Sequence, residues 1–277
     1  MIPVEAWAGG IASAILISAF AGLMPAVRAS RMPPTVCCER HEREVDLYRG
    51  RRALARVRFQ NASPVDAPGA CGDNLRMEPT YHDESRRLQD RFDTRRLADR
   101  LDERFVQRNV IDAEDRAFIE RMDMFFLATA DGDGRPQCSY KGGDPGFVRV
   151  LDEHVLAFPN YDGNGMYLSM GNVVANPHVG MLFIDFVSAR PSRLRVNGVA
   201  SIDPEDELMA AHPEAQFIVR VRATQVFPNC PRYIHRMALV ERSRFVPRTD
   251  CATPIPGWKR EAWASDVLPA DDPARAG

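Results

Sequence analysis

Polar side chains and glycines concentrate between residues 139 and 176 of the 277-residue chain. Lys141 is followed there by Gly142 and Gly143. A lysine neutralises a phosphate group, while glycines let backbone N–H groups approach it. The only other lysine is Lys259, because nearly all basic residues are arginines. The pattern predicts a site for a phosphorylated ligand; a plain surface lysine is the alternative.

Three asparagines and two glycines extend this cluster. Asn160, Asn164 and Asn172 offer amide donors and acceptors, which suit the edge of a heterocyclic ring. Gly163 and Gly165 precede a predicted short helix, and the N-terminus of a helix favours phosphate binding. Asparagine and glycine are also ordinary turn residues, which is the competing interpretation of each one alone. Their concentration in one stretch favours a ligand site.

Other chemistry is less well supported. The six cysteines include no Cys-x-x-Cys pair, so no metal site is predicted. Cys230 is either a reactive thiol or a half-buried structural residue, and the second is favoured because cysteine side chains are usually buried. His235 is either a proton donor or a histidine packed at a helix end. No catalytic residue is assigned from the sequence.

The charge balance limits the kinds of partner. Lys and Arg total 36 and Asp and Glu total 38, giving a net charge of −2. This balance argues against a nucleic-acid-coating protein. With 45% hydrophobic residues, the chain has the composition of a globular protein with a core.

The elements that must position this cluster are mostly strands. A helix is predicted at Ser85–Gln107, and Asp112 is predicted to cap a second helix with Asp115 three residues on. Many short apolar runs separated by turn signals favour a small antiparallel barrel. The predicted strands are Met124–Ala130, Gln137–Lys141, Gly146–Leu151, Val155–Phe158, Val179–Phe186, Leu194–Ile202, Phe217–Phe227 and Leu239–Phe245, with a short helix at Tyr167–Ala175.

The N-terminal region has a different character. Residues 6–27 carry no charge and are numerous enough to span a bilayer as a helix, with Arg28 and Arg31 holding the remainder in the cytoplasm. A buried or disordered Ala/Gly-rich stretch is the alternative. Residues 22–34 (GLMPAVRASRMPP) resemble the end of the last transmembrane helix of macrolide-exporter-type ABC permeases. A fused permease tail or a misassigned start codon would each explain this. Residues 35–78 are predicted to be a flexible charged linker.

Ordered motifs across residues 81–263 carry a second resemblance. The segments FFLATADGDGRPQCSYKGGDPGFVRV, LAFPNYDGNGMYLSMGNVVANPHVGMLFIDF, LRVNGVASI and VFPNCPRYIHRM together resemble the pyridoxamine 5′-phosphate oxidase-like FMN-binding split-barrel family. The resemblance implies a mainly β (α+β) fold: a six-stranded antiparallel split β-barrel with flanking helices, here over residues 79–263. It further implies a homodimer with FMN at its interface. Residues 264–277 are predicted to be a disordered tail.

The resemblance also implies which residues contact the cofactor and which reaction is disfavoured. The Arg-x-Val-Leu-Leu-Lys and Ser-Arg-Lys phosphate runs of the true oxidases are absent, and His178 replaces a basic residue. Oxidation of a B6 vitamer is therefore not the favoured reaction. The implied FMN contacts are Ser139, Tyr140, Lys141, Asn160, Tyr161, Asn164, Gly165, Asn172, Arg195 and Asn197.

These observations leave three functional hypotheses. The leading one is an FMN-dependent oxidoreductase that acts on a small molecule in the cytoplasm. The second is a non-enzymatic flavin- or haem-binding module on the same barrel. The third is a membrane-tethered interaction protein in which residues 6–27 are the functional part.

Overall fold

Seven strands form one antiparallel sheet in the computed structural model, which describes residues 79–276. The order across the sheet is β2-β1-β5-β6-β7-β4-β3. The expected mainly β, antiparallel architecture is confirmed, with seven strands where the resemblance implies six. The strands are β1 (Met124–Ala130), β2 (Pro136–Gly142), β3 (Arg149–Val150), β4 (Val155–Asn160), β5 (His178–Asp185), β6 (Ser192–Asp203) and β7 (Phe217–Asn229).

Alternating burial explains why these segments form strands around one core. In β1 and β5 every second residue is buried, as expected for strands with one face on the core. All six residues of β4 are buried. Phe125 lies at the centre of the core, with its ring centroid 5.0 Å from that of Phe158 and 5.2 Å from that of Phe183. Such aromatic pairs stabilise the sheet beyond their buried area.

Helices precede the sheet and interrupt it twice. They are α1 (Asp83–Arg91), α2 (Arg95–Leu101), a π-helix (Asp102–Val106), α3 (Ala113–Arg121), α4 (Leu168–Ala175) between β4 and β5, and a short 3-10 helix (Glu207–Ala211) between β6 and β7. The predicted cap of the second helix is confirmed: Asp112 accepts from the backbone N of Asp115 at 2.9 Å, and Asp115 accepts from the backbone N of Asp112 at 3.3 Å. This reciprocal pair is a capping box.

The prediction of one continuous helix over Ser85–Gln107 is wrong. Asp93 has a φ of 53°, and the chain turns between α1 and α2. The apolar residues that suggested the helix, including Leu88 and Phe92, are exposed. An i,i+4 pattern identifies one face of a helix, but it does not reveal a left-handed residue that ends it.

The C-terminal region also differs from expectation. The prediction of a strand at Leu239–Phe245 is wrong, because those residues are irregular and Val240 is 94% exposed. Two short 3-10 helices follow, at Gly257–Arg260 and Pro273–Ala276. Within the tail predicted to be disordered, Ala264 and Leu268 are buried, so this part of the chain packs rather than remaining free.

The N-terminal predictions lie outside the described residues. These are the membrane helix at 6–27, the permease-like segment and the linker to residue 78. Among residues 79–276, no helix is long and apolar enough to cross a membrane.

Candidate functional site

A cavity of about 250 Å³ lies between β2, the loop after β4 and the first turn of α4. The loop comprises residues 161–167 and is called the cavity loop below. Six of the ten predicted cofactor residues line the cavity: Ser139, Lys141, Asn160, Tyr161, Asn164 and Gly165. The remaining lining residues are Gln137, Cys138, Gly163, Met166, Tyr167, Leu168, Ser169 and Met170.

Lys141 brings a positive charge to the cavity. It lies near the end of β2, where it pairs with Phe125 of β1. Burial lowers the pKa of the Lys141 amine, and no carboxylate acts against that effect. None of the ion pairs among the described residues includes Lys141. The cavity therefore contains a partly desolvated ammonium group that an incoming anion could pair with.

The first turn of α4 faces the same space. Tyr167, the N-cap residue, has a φ of 49° and provides no side-chain cap. Leu168, Ser169 and Met170 follow it and line the cavity. The first N–H groups of a helix have no partner within the helix and carry partial positive charge. Lys141 and this helix terminus together make the cavity suited to an anion.

Local geometry explains how the cavity loop reaches α4. Gly165 has a φ of 73°, a conformation that L side chains rarely adopt. Asn164 Oδ1 accepts a hydrogen bond from the backbone N of Met166 at 3.1 Å. This turn brings Tyr167 to the start of the helix. Ser169 Oγ donates to Ser139 Oγ at 3.0 Å, which links α4 to β2 across the cavity.

Gln216 organises the polar side of the cavity, and the sequence analysis did not identify it. Asn160 Nδ2 donates to Gln216 Oε1 at 3.1 Å, and the Tyr167 hydroxyl donates to the same oxygen at 3.0 Å. Asn160 also donates to the backbone O of Tyr161 at 3.2 Å. Gln216 approaches Asn160 because β4 pairs with β7, where Asn160 lies opposite Phe217. No local pattern in the sequence indicates a contact of this range.

Tyr161 keeps its proton at neutral pH. Burial is the largest cause that raises the pKa of Tyr161 to about 12, and the charges of Asp144 and Glu214 act in the same direction. The hydroxyl therefore keeps its hydrogen-bond donor at neutral pH and cannot act as a base near pH 7.

Four predicted cofactor residues do not line the cavity. Tyr140 lies between Ser139 and Lys141 on β2 and is 62% exposed. Its ring packs edge-on against Phe126, with 6.2 Å between centroids. The other three make these contacts: Asn172 Nδ2 donates to Thr129 Oγ1 at 3.1 Å, Asn197 Nδ2 donates to Gln225 Oε1 at 3.0 Å, and Arg195 pairs with Leu182 and Phe227 in the sheet.

The remaining candidate groups lie elsewhere. Cys230, predicted to be half-buried, is exposed, and so is His235. Neither residue lines the cavity. Within residues 79–276, no group of three or more His, Cys, Asp or Glu side chains is arranged to hold a metal ion.

Residues 111–234 match the family model of pyridoxamine 5′-phosphate oxidase. This match supports the family resemblance over the segment that contains the sheet and the cavity. No curated protein matches the chain.

Several solved structures are similar to part of this chain. HupZ of Group A Streptococcus is 16% identical over 46% of this chain and 99% of its own, with a TM-score of 0.35. HutZ, the heme storage protein of Vibrio cholerae, is 19% identical over 41% of this chain and 90% of its own, with a TM-score of 0.30. An FAD-binding protein of Mesorhizobium loti is 17% identical over 42% of this chain and 89% of its own, with a TM-score of 0.33.

Proposed function

We propose that this protein binds FMN in the cavity and acts as an FMN-dependent oxidoreductase on a small molecule. The observation that supports this most directly is the pairing of Lys141 with the uncapped first turn of α4 on one cavity. A phosphate monoester gains a charge-assisted hydrogen bond from the ammonium group and N–H donors from the helix. Both donors lie within the segment that matches the oxidase family model.

The other lining residues fit the remainder of such a ligand. Asn160 and Asn164 provide amides for a ring edge or a polyhydroxy chain, and neutral Tyr161 provides a hydroxyl donor. Gly163 and Gly165 leave open space where a Cβ would stand. When bound, FMN supplies the redox chemistry, while the protein binds and orients it. No lining residue is assigned as a catalytic acid or base.

The size of the cavity supports a second copy of the chain as part of the site. Its volume of about 250 Å³ lies below the range of about 300–1,000 Å³ that is typical of pockets for drug-sized ligands. At its rim, Met166, Tyr167 and Leu168 are 61%, 48% and 51% exposed. A partner that covers these apolar side chains would enlarge the enclosed space. We therefore include a homodimer in the proposal.

One observation favours the non-enzymatic alternative, a flavin- or haem-binding module. The cavity lining contains no His, Asp or Glu, the side chains that most often serve as general acids and bases. A chain that binds cofactor without turning over substrate would need only the anion site and the ring contacts. The membrane-tethered hypothesis concerns residues 6–27 and stays a prediction, as does the cytoplasmic location.

The proposal is tested by titrating the purified full chain with FMN and, separately, with riboflavin, which lacks the phosphate. We expect a flavin absorption spectrum with bound FMN and markedly weaker binding of riboflavin. Equal affinity for both ligands would contradict the assignment of the phosphate to Lys141 and α4. Bleaching of the bound flavin by a candidate reductant, followed by recovery with an oxidant, would distinguish the oxidoreductase from the binding module.

A further inference from the structure

Ion pairs connect the last part of the chain to the cavity loop and to the turn that follows β2, and the two closest are those of Lys259 and Arg248. The residues involved lie after β7, between Arg248 and Asp272, and this part of the chain is called the C-terminal segment. It begins beyond residue 234, where the match to the oxidase family model ends. The segment is therefore an addition to the part of the chain that carries the resemblance.

The first ion pair holds the cavity loop. Lys259 Nζ donates to Asp162 Oδ2 at 2.6 Å and to Asp272 Oδ2 at 2.7 Å. The side chains of Lys259 and Asp272 are each 5% exposed, whereas that of Asp162 is 58% exposed. A buried ammonium requires a paired carboxylate, and Asp272 alone can provide it. Asp162 is thus the partner through which the buried pair reaches the loop.

The second ion pair holds the turn after β2. Arg248 donates from Nε to Asp144 Oδ2 at 2.7 Å and from Nη2 to Asp144 Oδ1 at 2.8 Å, a bidentate arrangement. Asp144 follows Lys141 by three residues, and its charge also acts on Tyr161. This contact therefore helps to fix the end of β2, the strand that carries Lys141.

The two glycines of the cavity loop have no packing contacts of their own. No heavy atom outside the adjoining residues lies within 4 Å of a Cβ built on Gly163 or Gly165, so neither position packs against the body of the protein. Ordering such residues costs conformational entropy, and a contact nearby must offset that loss. The Lys259–Asp162 pair is placed to do so near the start of the loop, next to Gly163.

We propose that the C-terminal segment is a brace that fixes the cavity, with Lys259 and Arg248 as positioning residues. The brace orders the cavity loop and the turn after β2, so that the loop, Lys141 and the first turn of α4 stay at the spacing a ligand requires. Its effect on ligand affinity rests on the proposed function, whereas its effect on loop order does not.

The sharpest variant is Asp162→Asn, because it releases the loop while the buried Lys259–Asp272 pair remains. The matched control is Asp271→Asn, which neutralises an exposed carboxylate beside Asp272. We expect backbone ¹⁵N order parameters in the cavity loop to fall from about 0.85 to below about 0.6 in Asp162→Asn, and to stay unchanged in the control. The overall unfolding midpoint should stay close to that of the parent chain.

Ligand binding provides a second readout with a decisive sign. Removing a negative charge beside an anion site strengthens FMN binding if charge alone matters. A positioning role predicts the opposite: FMN affinity falls by about fivefold, the factor expected when a pair with one exposed partner is lost. Arg248→Gln should likewise mobilise residues 142–146, with Arg260→Gln as the exposed control.

Order parameters that stay at the parent values in both Asp162→Asn and Arg248→Gln would overturn the brace. So would tighter FMN binding by Asp162→Asn with the loop still ordered. If the parent chain binds no FMN, the proposed function fails, and the order parameters alone decide whether the brace is correct.

Discussion

Lys141→Met is expected to weaken ligand binding without lowering the unfolding free energy of the ligand-free protein. In the free protein the ammonium group is partly buried, has no ion-pair partner among the described residues, and its pKa is lowered by burial. Methionine keeps a similar length and apolar stem but removes the desolvation cost. We therefore expect the free energy of unfolding to stay the same or rise by about 1 kcal/mol.

The loss in binding is larger and depends on the phosphate. A hydrogen bond to a charged group contributes about 1.5–3 kcal/mol, so FMN affinity should fall by roughly 10- to 150-fold. Riboflavin affinity should change little, because riboflavin has no phosphate for Lys141 to bind. Lys141→Arg keeps the charge and should retain a large part of the FMN affinity. Quenching of flavin fluorescence measures the dissociation constants of both flavins for the parent chain and the two variants, and urea denaturation measures the stabilities.

The pH dependence has a defined sign. The pKa of Lys141 is lower in the folded state than its usual value of 10.5, so the unfolded chain binds more protons between these two values. The penalty of burying the charge is fully present below the folded pKa and disappears as the pH rises toward 10.5. The stability difference between Lys141→Met and the parent chain should shrink over that window. A variant that is clearly less stable at pH 7, or that binds FMN as tightly as the parent, would refute the reasoning.

Three further predictions address the site and the fold. Tyr161→Phe should remove one phenol that titrates near pH 12 in ultraviolet absorbance. In the parent chain, the stability gained from protonated Tyr161 should be lost as the pH rises from 10.0 to about 12, and the variant should lack this loss. Burial acts to raise the pKa of Asp185, but hydrogen bonds from Ser188, Arg121 and Val187 outweigh it and hold the pKa at about 2. The ionised carboxylate should therefore add about 2 kcal/mol to the unfolding free energy above pH 3.8, and this contribution is lost as the pH falls through 2. Asp185→Asn should flatten that part of the acid-unfolding curve. Gly143→Ala would place a Cβ 2.4 Å from Phe147 Cγ, and this overlap should lower the unfolding free energy by about 1–3 kcal/mol. A Cβ on Gly171 would meet nothing within 4 Å, so Gly171→Ala should stabilise α4 by about 0.5–1 kcal/mol. Equal effects of the two alanine substitutions in thermal unfolding would contradict the packing argument.

Much of the cavity was predictable because its residues are close in sequence. Lys141 at a strand end, the turn glycines and the start of α4 follow one another within a short stretch, and turn and helix signals are local. The capping box between Asp112 and Asp115 was predictable for the same reason, since its two hydrogen bonds span only three residues.

The faces and lengths of the elements were harder to infer. Tyr140 was grouped with its neighbours on β2, although its ring packs against Phe126 across the strand pair rather than lining the cavity. The apolar spacing of Leu88 and Phe92 suggested one long helix, but a left-handed residue ends α1. A hydrophobic pattern reports which residues could share a face, while burial depends on what the rest of the chain places against that face.

The sequence by itself determined the antiparallel sheet, its turns and the local cluster of anion-binding groups, because alternation, turn residues and helix starts act over a few neighbours. Only the tertiary structure decided that Gln216 accepts hydrogen bonds from both Asn160 and Tyr167, and that Lys259 forms an ion pair with Asp162, which is 97 residues away in the sequence. Contacts of that range arise when strands pair and the last segment packs, and no short-range pattern encodes them. The second lysine of the chain therefore belongs beside the same cavity as the first.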